Sequence, residues 1–326
     1  MTPYLSFVVA ARNDNYGGNF LHRMQVFVNA LLSLWDKHGL NAELVIVEWN
    51  PPKDRSRLED ALAWPKCLKP GTVRIVEVPS DIHYRFPNSD RMPMFEYIAK
   101  NVGIRRAKGE YVLATNPDLL YSEALVRFLA SRRLAKDCFY RIDRYDVVES
   151  VPLDLPPEEQ LRFCGRHVIK VATIDGTVPI QKFPYRVRRL VHSLLSSPRK
   201  ILVRAEKPSP SEPRLHTNAS GDFFLMARQH WHEVRGYPEL KSHSFIDGYA
   251  CFLATALGLQ QVVLKTPLRI YHQEHDRSEH TKRPLTNYQQ YLEHGKRMLE
   301  PGRLEVLNGE DWGLGYEQLP ECWIRP

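Results

Sequence analysis

The 326 residues include 43% hydrophobic and 25% charged side chains, a balance that fits a folded globular protein and excludes a collagen-like or low-complexity chain. No apolar run is long enough to span a bilayer, and Met1-Thr2-Pro3-Tyr4 lacks the basic stretch that opens a secretory leader. The formal charge of +7 favours anionic partners (nucleotides, phospholipid headgroups or nucleic acid), although no zinc-finger, RNP or helix-turn-helix signature supports the last of these.

The chain opens with a predicted strand over Leu5–Ala11, followed by the polar loop Arg12-Asn13-Asp14-Asn15-Tyr16-Gly17-Gly18-Asn19. From Phe20 to His38 the residues Leu21, Met24, Phe27, Val28, Leu31, Leu32 and Trp35 recur at helical spacing, and Gly39 suits the stop. Residues 43–49 predict a second strand, which Asn50-Pro51-Pro52 breaks. A short helix over 57–63, a third strand over Val73–Val78 and a helix over 95–106 follow. Such alternation of strand and helix predicts βαβ units and a parallel sheet.

In the middle of the chain, residues 151–213 are rich in proline and lose periodicity, which predicts an inserted irregular segment. Within it, residues 182–207 carry Lys182, Arg186, Arg188, Arg189, Arg199, Lys200, Arg204 and Lys207 against the single acid Glu206. Val187, Leu190, Val191, Leu194 and Leu195 sit among them at helical spacing. A basic amphipathic segment of this kind can lie on an anionic membrane. A solvated insertion, or a helix packed on the domain by its apolar stripe, has the same composition.

Regular patterns return with a strand over 221–228, a helix through Trp231 to Arg235, a helix from about Phe245 to Gly258, and strands over 261–264 and 268–272. A tail after His280 is predicted helical through Met298. The five cysteines Cys67, Cys138, Cys164, Cys251 and Cys322 are scattered, odd in number and without metal-site spacing. They read as reduced thiols, and with them the chain as cytoplasmic.

The strongest local signal is Gly109-Glu110-Tyr111-Val112-Leu113-Ala114-Thr115-Asn116-Pro117-Asp118. Tyr111–Thr115 is an apolar run suited to the middle of a parallel sheet, and Pro117 ends it. Asn116 and Asp118 are left at the strand's carboxyl end, where open α/β sheets bind ligands. An amide and a carboxylate two residues apart can present oxygens to one hard cation. A strand followed by an Asx turn has the same residues.

Taken with both halves of the chain, these motifs resemble the GT-A glycosyltransferases, especially family-2-like enzymes. The first half resembles the nucleotide-sugar side of that fold: a strand ending in a polar loop, a second strand ending in an acid, Ala99-Lys100-Asn101-Val102-Gly103-Ile104, and Ala107-Lys108-Gly109-Glu110-Tyr111 leading into the metal motif. The second half resembles the acceptor side of galactosyl- and N-acetylgalactosaminyltransferases. Its frame is Gly221-Asp222-Phe223-Phe224-Leu225-Met226-Ala227-Arg228, then Arg235-Gly236-Tyr237-Pro238-Glu239, Asp247, and Tyr271-His272-Gln273-Glu274-His275. The resemblance implies a GT-A-like, Rossmann-type, mostly parallel sheet flanked by helices. Residues 1–125 would form the nucleotide-sugar half, residues 126–280 the acceptor half of the same domain with the insertion 151–213, and residues 281–326 a helical tail.

It further implies transfer of a sugar from a nucleotide diphosphate, UDP in the first instance, to a glycan or lipid-linked acceptor with inversion. Peripheral contact with an anionic membrane would place the acceptor at the cytoplasmic face. In the family Asp118 would hold Mn2+ or Mg2+, with His272 closing the site. The usual motif is Asp-x-Asp, so Asn116 brings an oxygen but no charge. Arg12, Asn13, Asp14 and Glu48 would read uracil and ribose, Lys100 would meet the diphosphate, Asn116 would coordinate the metal or bind ribose, and Asn101, Gly221 and Asp222 would also belong to the nucleotide-sugar site. Asp247 matches the acceptor-side acid. An acceptor hydroxyl needs a base within hydrogen-bond reach.

Each of these residues also has a purely structural alternative. Asp247 can cap a helix, His272 can bond backbone from an edge strand, Arg12 and Asp14 can pair across their loop, and Lys100 can be a solvated helix lysine. Gly17 and Gly18 permit positive φ or a close approach. A nucleotidyltransferase would carry a glycine-rich phosphate loop after the first strand, and the loop here fits poorly. A non-catalytic binding module would be marked by Asn116 as a lost metal ligand.

Overall fold

The computed structural model describes residues 2–66, 69, 71–148, 150–180, 214–240, 245–276, 288–300 and 304–325. The basic segment 182–207 lies outside the described residues, as does Cys67.

β1 (Leu5–Ala11), α1 (Phe20–His38), β2 (Ala42–Trp49), α2 (Leu58–Ala61), β3 (Val73–Val78), α3 (Ser80–His83), α4 (Glu96–Arg106) and β4 (Tyr111–Thr115) form the first half. β1 pairs in parallel with both β2 and β4, and β2 with β3. β1 is therefore central and buried throughout, which is why it reads as a continuous apolar run rather than an alternating one. Its side chains alternate between two cores. Phe7 and Val9 meet Phe27, Leu31 and Trp35 of α1, and Val8 and Ala10 join Ala99 and Val102 of α4. Gly103 lets α4 press against the sheet: a methyl group there would overlap Val8 and stand 3.1 Å from Val47 Cγ2.

β5 (Leu119–Tyr121), α5 (Glu123–Ala130), β6 (Cys138–Ile142), β7 (Arg144–Val147), α6 (Pro157–Arg166), β8 (Val168–Thr173) and β9 (Gly176–Pro179) follow. Next come a single 3-10 turn (Ser220–Asp222), β10 (Phe223–Ala227), α7 (Arg228–Glu233), α8 (Ile246–Ala256), β11 (Gln260–Leu264), β12 (Ile270–Gln273), α9 (Tyr288–Met298) and β13 (Glu321–Trp323). The main sheet has the order β11-β6-β10-β4-β1-β2-β3-β13, with β10 antiparallel to β4 and β6 and β13 antiparallel to β3. A second sheet runs β5-β12-β7-β8-β9. The protein is thus a mixed α/β chain built on a large, mostly parallel sheet flanked by helices, as expected.

Two expectations are corrected. Residues 151–180 are not irregular: α6 begins at Pro157 with Pro156 as its N-cap, and β8 and β9 form a hairpin. Proline at a first helical turn costs nothing, because that N–H has no partner in the helix anyway. The chain after Met298 is not all helical either, since β13 returns to extend the main sheet. No described helix is long and apolar enough to cross a membrane. Among the described residues Cys138, Cys164, Cys251 and Cys322 are free thiols.

Candidate metal centre and active-site cleft

Strand register assembles the site. In β12, His272 lies opposite Leu119 of β5 on one side and Asp146 of β7 on the other. Leu119 directly follows Asp118, so one imidazole stands between two carboxylates. Its Nδ1 is 2.9 Å from Asp146 Oδ1 and its Nε2 is 3.6 Å from Asp118 Oδ2. A carboxylate only accepts, so Nδ1 carries the hydrogen on the Asp146 side, and in the neutral ring this leaves the lone pair on Nε2, where it can ligate a cation beside Asp118. The end of β12 is strapped to the same turn and to α1, because Gln273 N donates to Asp118 O at 3.1 Å and Gln273 Nε2 donates to Arg23 O of α1 at 2.9 Å.

The chain leaves the strand after Gln273, which brings His275 back to the cleft. His275 Nε2 is 3.5 Å from Asp118 Oδ2. Asp118, His272 and His275 offer one ligand atom each, and these lie within 4.8 Å of one another. Burial pushes the His275 pKa below its ordinary value, which favours the neutral, ligating imidazole. Asp118 is buried, and its Oδ1 has no hydrogen-bond partner among the described residues. A buried carboxylate with one oxygen unsatisfied and the other facing two imidazoles fits a divalent cation.

A second group surrounds Asp222. Phe223 of β10 pairs with Thr115 of β4 in antiparallel register, so Asp222 and Asn116 meet one step further on. Asn116 Nδ2 donates to Asp222 Oδ1 at 2.7 Å. Arg144 Nη1 donates to Asp222 Oδ2 at 2.6 Å, and its Nη2 donates to Asp146 Oδ2 at 3.2 Å. Burial opposes ionisation of Asp222, but the Arg144 guanidinium outweighs it and holds the carboxyl well below the usual range. Asn116 therefore tethers Asp222 through its amide hydrogens.

Asp247 sits in the first turn of α8 without serving as its N-cap, a place held by Phe245. Its Oδ2 accepts from Gly221 N at 2.7 Å. Asp247, Gly221, Asp222, Arg144, Asn116, Asp118, His272, His275, Arg23, Glu96 and Tyr97 are among the residues lining a cleft of about 210 Å³.

The other residues singled out in the sequence lie elsewhere. Lys100 is fully buried, and its Nζ donates to Glu96 Oε1 at 2.8 Å and Gly221 O at 2.9 Å. It is neither a solvated lysine nor a lining residue: it holds the Gly221 turn from behind. Asn101 is one helical step from Lys100 and so faces another side of α4. There its amide pairs with Tyr237 N and O and with Glu239. Arg12 pairs with Asp14 at 2.7 Å and with Asn50 O, Asn13 donates to Ser56 O, and Glu48 accepts from Leu58 N. None of these four lines the cleft. They brace the loops at the carboxyl ends of β1 and β2.

Arg23, Arg144, Asp146 and His275 carried no assignment in the sequence. Arg144-Tyr145-Asp146-Val147 alternates charged with apolar residues at the strand period, which is the signal that could have found two of them.

No family model matches the chain, and no curated protein matches it. Among solved structures the chain is similar to the catalytic domain of a Drosophila beta1,4-galactosyltransferase 7 in complex with xylobiose. The match covers 92% of this chain and 82% of that one, at 12% identity and a TM-score of 0.39. At that distance the similarity assigns no residue and no substrate.

Proposed function

We propose that the protein is a metal-assisted glycosyltransferase that moves a sugar from a UDP-sugar to a glycan or lipid-linked saccharide with inversion. The observation that carries this reading is one cleft lined both by the Asp118–His272–His275 cluster and by the half-buried carboxylate of Asp247. Asp118, His272 and His275 would hold the cation, and two imidazoles beside one carboxylate favour Mn2+ over Mg2+. When bound, the cation supplies positive charge against the charge that gathers on a departing diphosphate.

The remaining chemistry belongs to the chain. Asp247 takes the proton of the attacking acceptor hydroxyl, and the Gly221 amide keeps its carboxylate oriented. Lys100 fixes Gly221 from the other side through its carbonyl. Arg144 and Asn116 hold Asp222 ionised and aimed into the cleft, where it can accept from sugar hydroxyls. Arg12, Asn13, Asp14 and Glu48 brace the rim that would face base and ribose. A lipid-linked acceptor would be met at the cytoplasmic face of an anionic membrane, with the basic segment 182–207 as the contact.

The test is hydrolysis and thermal shift against a panel of nucleotide sugars, with and without Mn2+. A ligand that binds only the folded state raises the melting temperature by mass action. Mn2+-dependent turnover of a UDP-sugar is the expected result. A panel that yields neither turnover nor a shift sinks the reading.

A further inference from the structure

Gly17 occupies the loop after β1, yet it is packed against the metal cluster. A methyl group on its Cα would overlap Nδ1 of His275 and stand 2.9 Å from Asp276 O. Asp276 N donates to Gly17 O at 3.3 Å, and the Tyr16 ring meets the His275 ring edge-on at a centroid distance of 5.3 Å. His275 Nδ1 is 3.0 Å from Asp276 O, which is an acceptor only. Nδ1 therefore carries the hydrogen, and Nε2 turns its lone pair to Asp118.

The loop is itself held rigidly. Arg23 donates to Gly18 O and to Tyr16 O, the latter at 2.7 Å, and Asp14 Oδ1 accepts from Tyr16 N at 3.1 Å. Arg23 Nε also lies 3.9 Å from Asp118 Oδ2. One loop thus reaches two members of the cluster: Asp118 through Arg23, and His275 through the bare Cα of Gly17.

We propose that Gly17 is a positioning residue for the metal centre, seating His275 so that its Nε2 faces Asp118. The inference rests on the reading of Asp118, His272 and His275 as metal ligands. It adds that the loop after β1 is a structural part of that centre.

Gly18 supplies a matched control. Both glycines have positive φ, +66° and +73°, but a methyl group on Gly18 meets nothing within 4 Å. Alanine carries the same backbone strain at either place. Only at Gly17 does it push on the imidazole.

Mn2+ affinity is measured by calorimetry on wild type, Gly17→Ala, Gly18→Ala, His275→Ala and the double variant Gly17→Ala/His275→Ala. Melting in EDTA confirms folding, and the visible spectrum of bound Co2+ reports the loss of an imidazole ligand. Gly17→Ala should weaken Mn2+ binding roughly tenfold or more, the range seen when a ligand loses its support. It should give a Co2+ spectrum like that of His275→Ala, and Gly18→Ala should stay within about twofold of wild type. In the double variant Gly17→Ala should add nothing to His275→Ala, as expected for residues acting as one unit. Equal losses at Gly17 and Gly18, or a full Gly17 effect without His275, overturn the positioning role alone. A wild type that binds no Mn2+ overturns the metal reading and this inference with it.

Discussion

His272 is gripped by Asp146, with Nδ1 2.9 Å from Oδ1, while the other nitrogen of the same ring faces Asp118. This carboxylate–imidazole pair fixes both the ring orientation and the tautomer that a metal ligand requires. Asp146→Asn keeps an acceptor oxygen but removes the charge that polarises the ring. Mn2+ affinity should fall by about 10- to 100-fold with the fold retained. Calorimetry checks this, and an unchanged affinity would leave Asp146 as a partner of Arg144 only.

Asp118 brings the only carboxylate of the three-residue cluster. Asp118→Ala should cost UDP-sugar turnover a factor on the order of 100 or more, because several kcal/mol of charge stabilisation disappear with the cation. The check is turnover at saturating donor and excess Mn2+. Near-native turnover in a folded variant would separate the reaction from the metal cluster.

The framework of the first half was legible because its physics is local. β1, α1, β3 and β4 are long or strongly apolar, and Gly39 marks a stop that the backbone confirms at φ +61°. Asp118 and His272 were legible as residues at strand ends. What brings them together is register between β5, β12 and β7, and that is not local. Asp146 and Arg144 lie in a short strand that pairs with the nearby β8, but their partners at the site, His272 of β12 and Asp222, lie far along the chain, so only the alternation of charged and apolar residues marks the strand. His275 was visible inside a quoted motif, but only the break after Gln273 turns it to the cleft. Lys100 and Asn101 misled because neighbouring helical positions face different sides, and sequence alone does not say which side is the cleft. The hairpin of β8 and β9 was hidden by surrounding prolines that in fact sit at a helix start and at strand ends.

Gly103 tests the packing that sets α4 on the sheet. Glycine to alanine inside a helix ordinarily stabilises by about 1 kcal/mol. Here the added methyl overlaps Val8 and crowds Val47. Overpacking of that kind costs roughly 1–3 kcal/mol, so the net effect should be destabilising. A lower urea midpoint for Gly103→Ala is the expected outcome, and a higher one would show that α4 moves away freely.

Glu48 should make stability depend on pH. Burial pushes its carboxyl up to about 7 from 4.5, against the opposing hydrogen bond from Leu58 N. The folded state then holds this proton more tightly than the unfolded state. Its contribution is complete below about pH 4.5, declines as pH rises and is gone above about pH 7, a change on the order of 3 kcal/mol. Glu48→Gln cannot titrate, so the stability difference between wild type and variant should move by that amount across the window. Urea unfolding at several pH values measures it. A difference that stays constant from pH 4.5 to 7.5 would place the Glu48 carboxyl near its ordinary value.

Asp247 is the proposed acceptor-side base, and its geometry suggests a clean substitution. Its Oδ2 accepts the Gly221 amide hydrogen at 2.7 Å, and an asparagine carbonyl oxygen can accept the same bond. Because Asp247 does not cap α8, the helix start does not depend on it. Asp247→Asn should therefore fold like wild type and keep the Gly221 turn in place. What it loses is the ability to take a proton from the attacking hydroxyl. Transfer should fall by roughly 100-fold or more while UDP-sugar affinity stays near wild type, the pattern expected when only a transition-state interaction is removed. Two measurements on one preparation decide the matter: donor affinity by calorimetry and transfer rate at saturating donor. Loss of affinity in step with rate would make Asp247 a donor ligand. If neither changes, Asp247 serves the Gly221 turn alone and the base is another acid of the cleft, with Glu96 and Asp222 next to be tested.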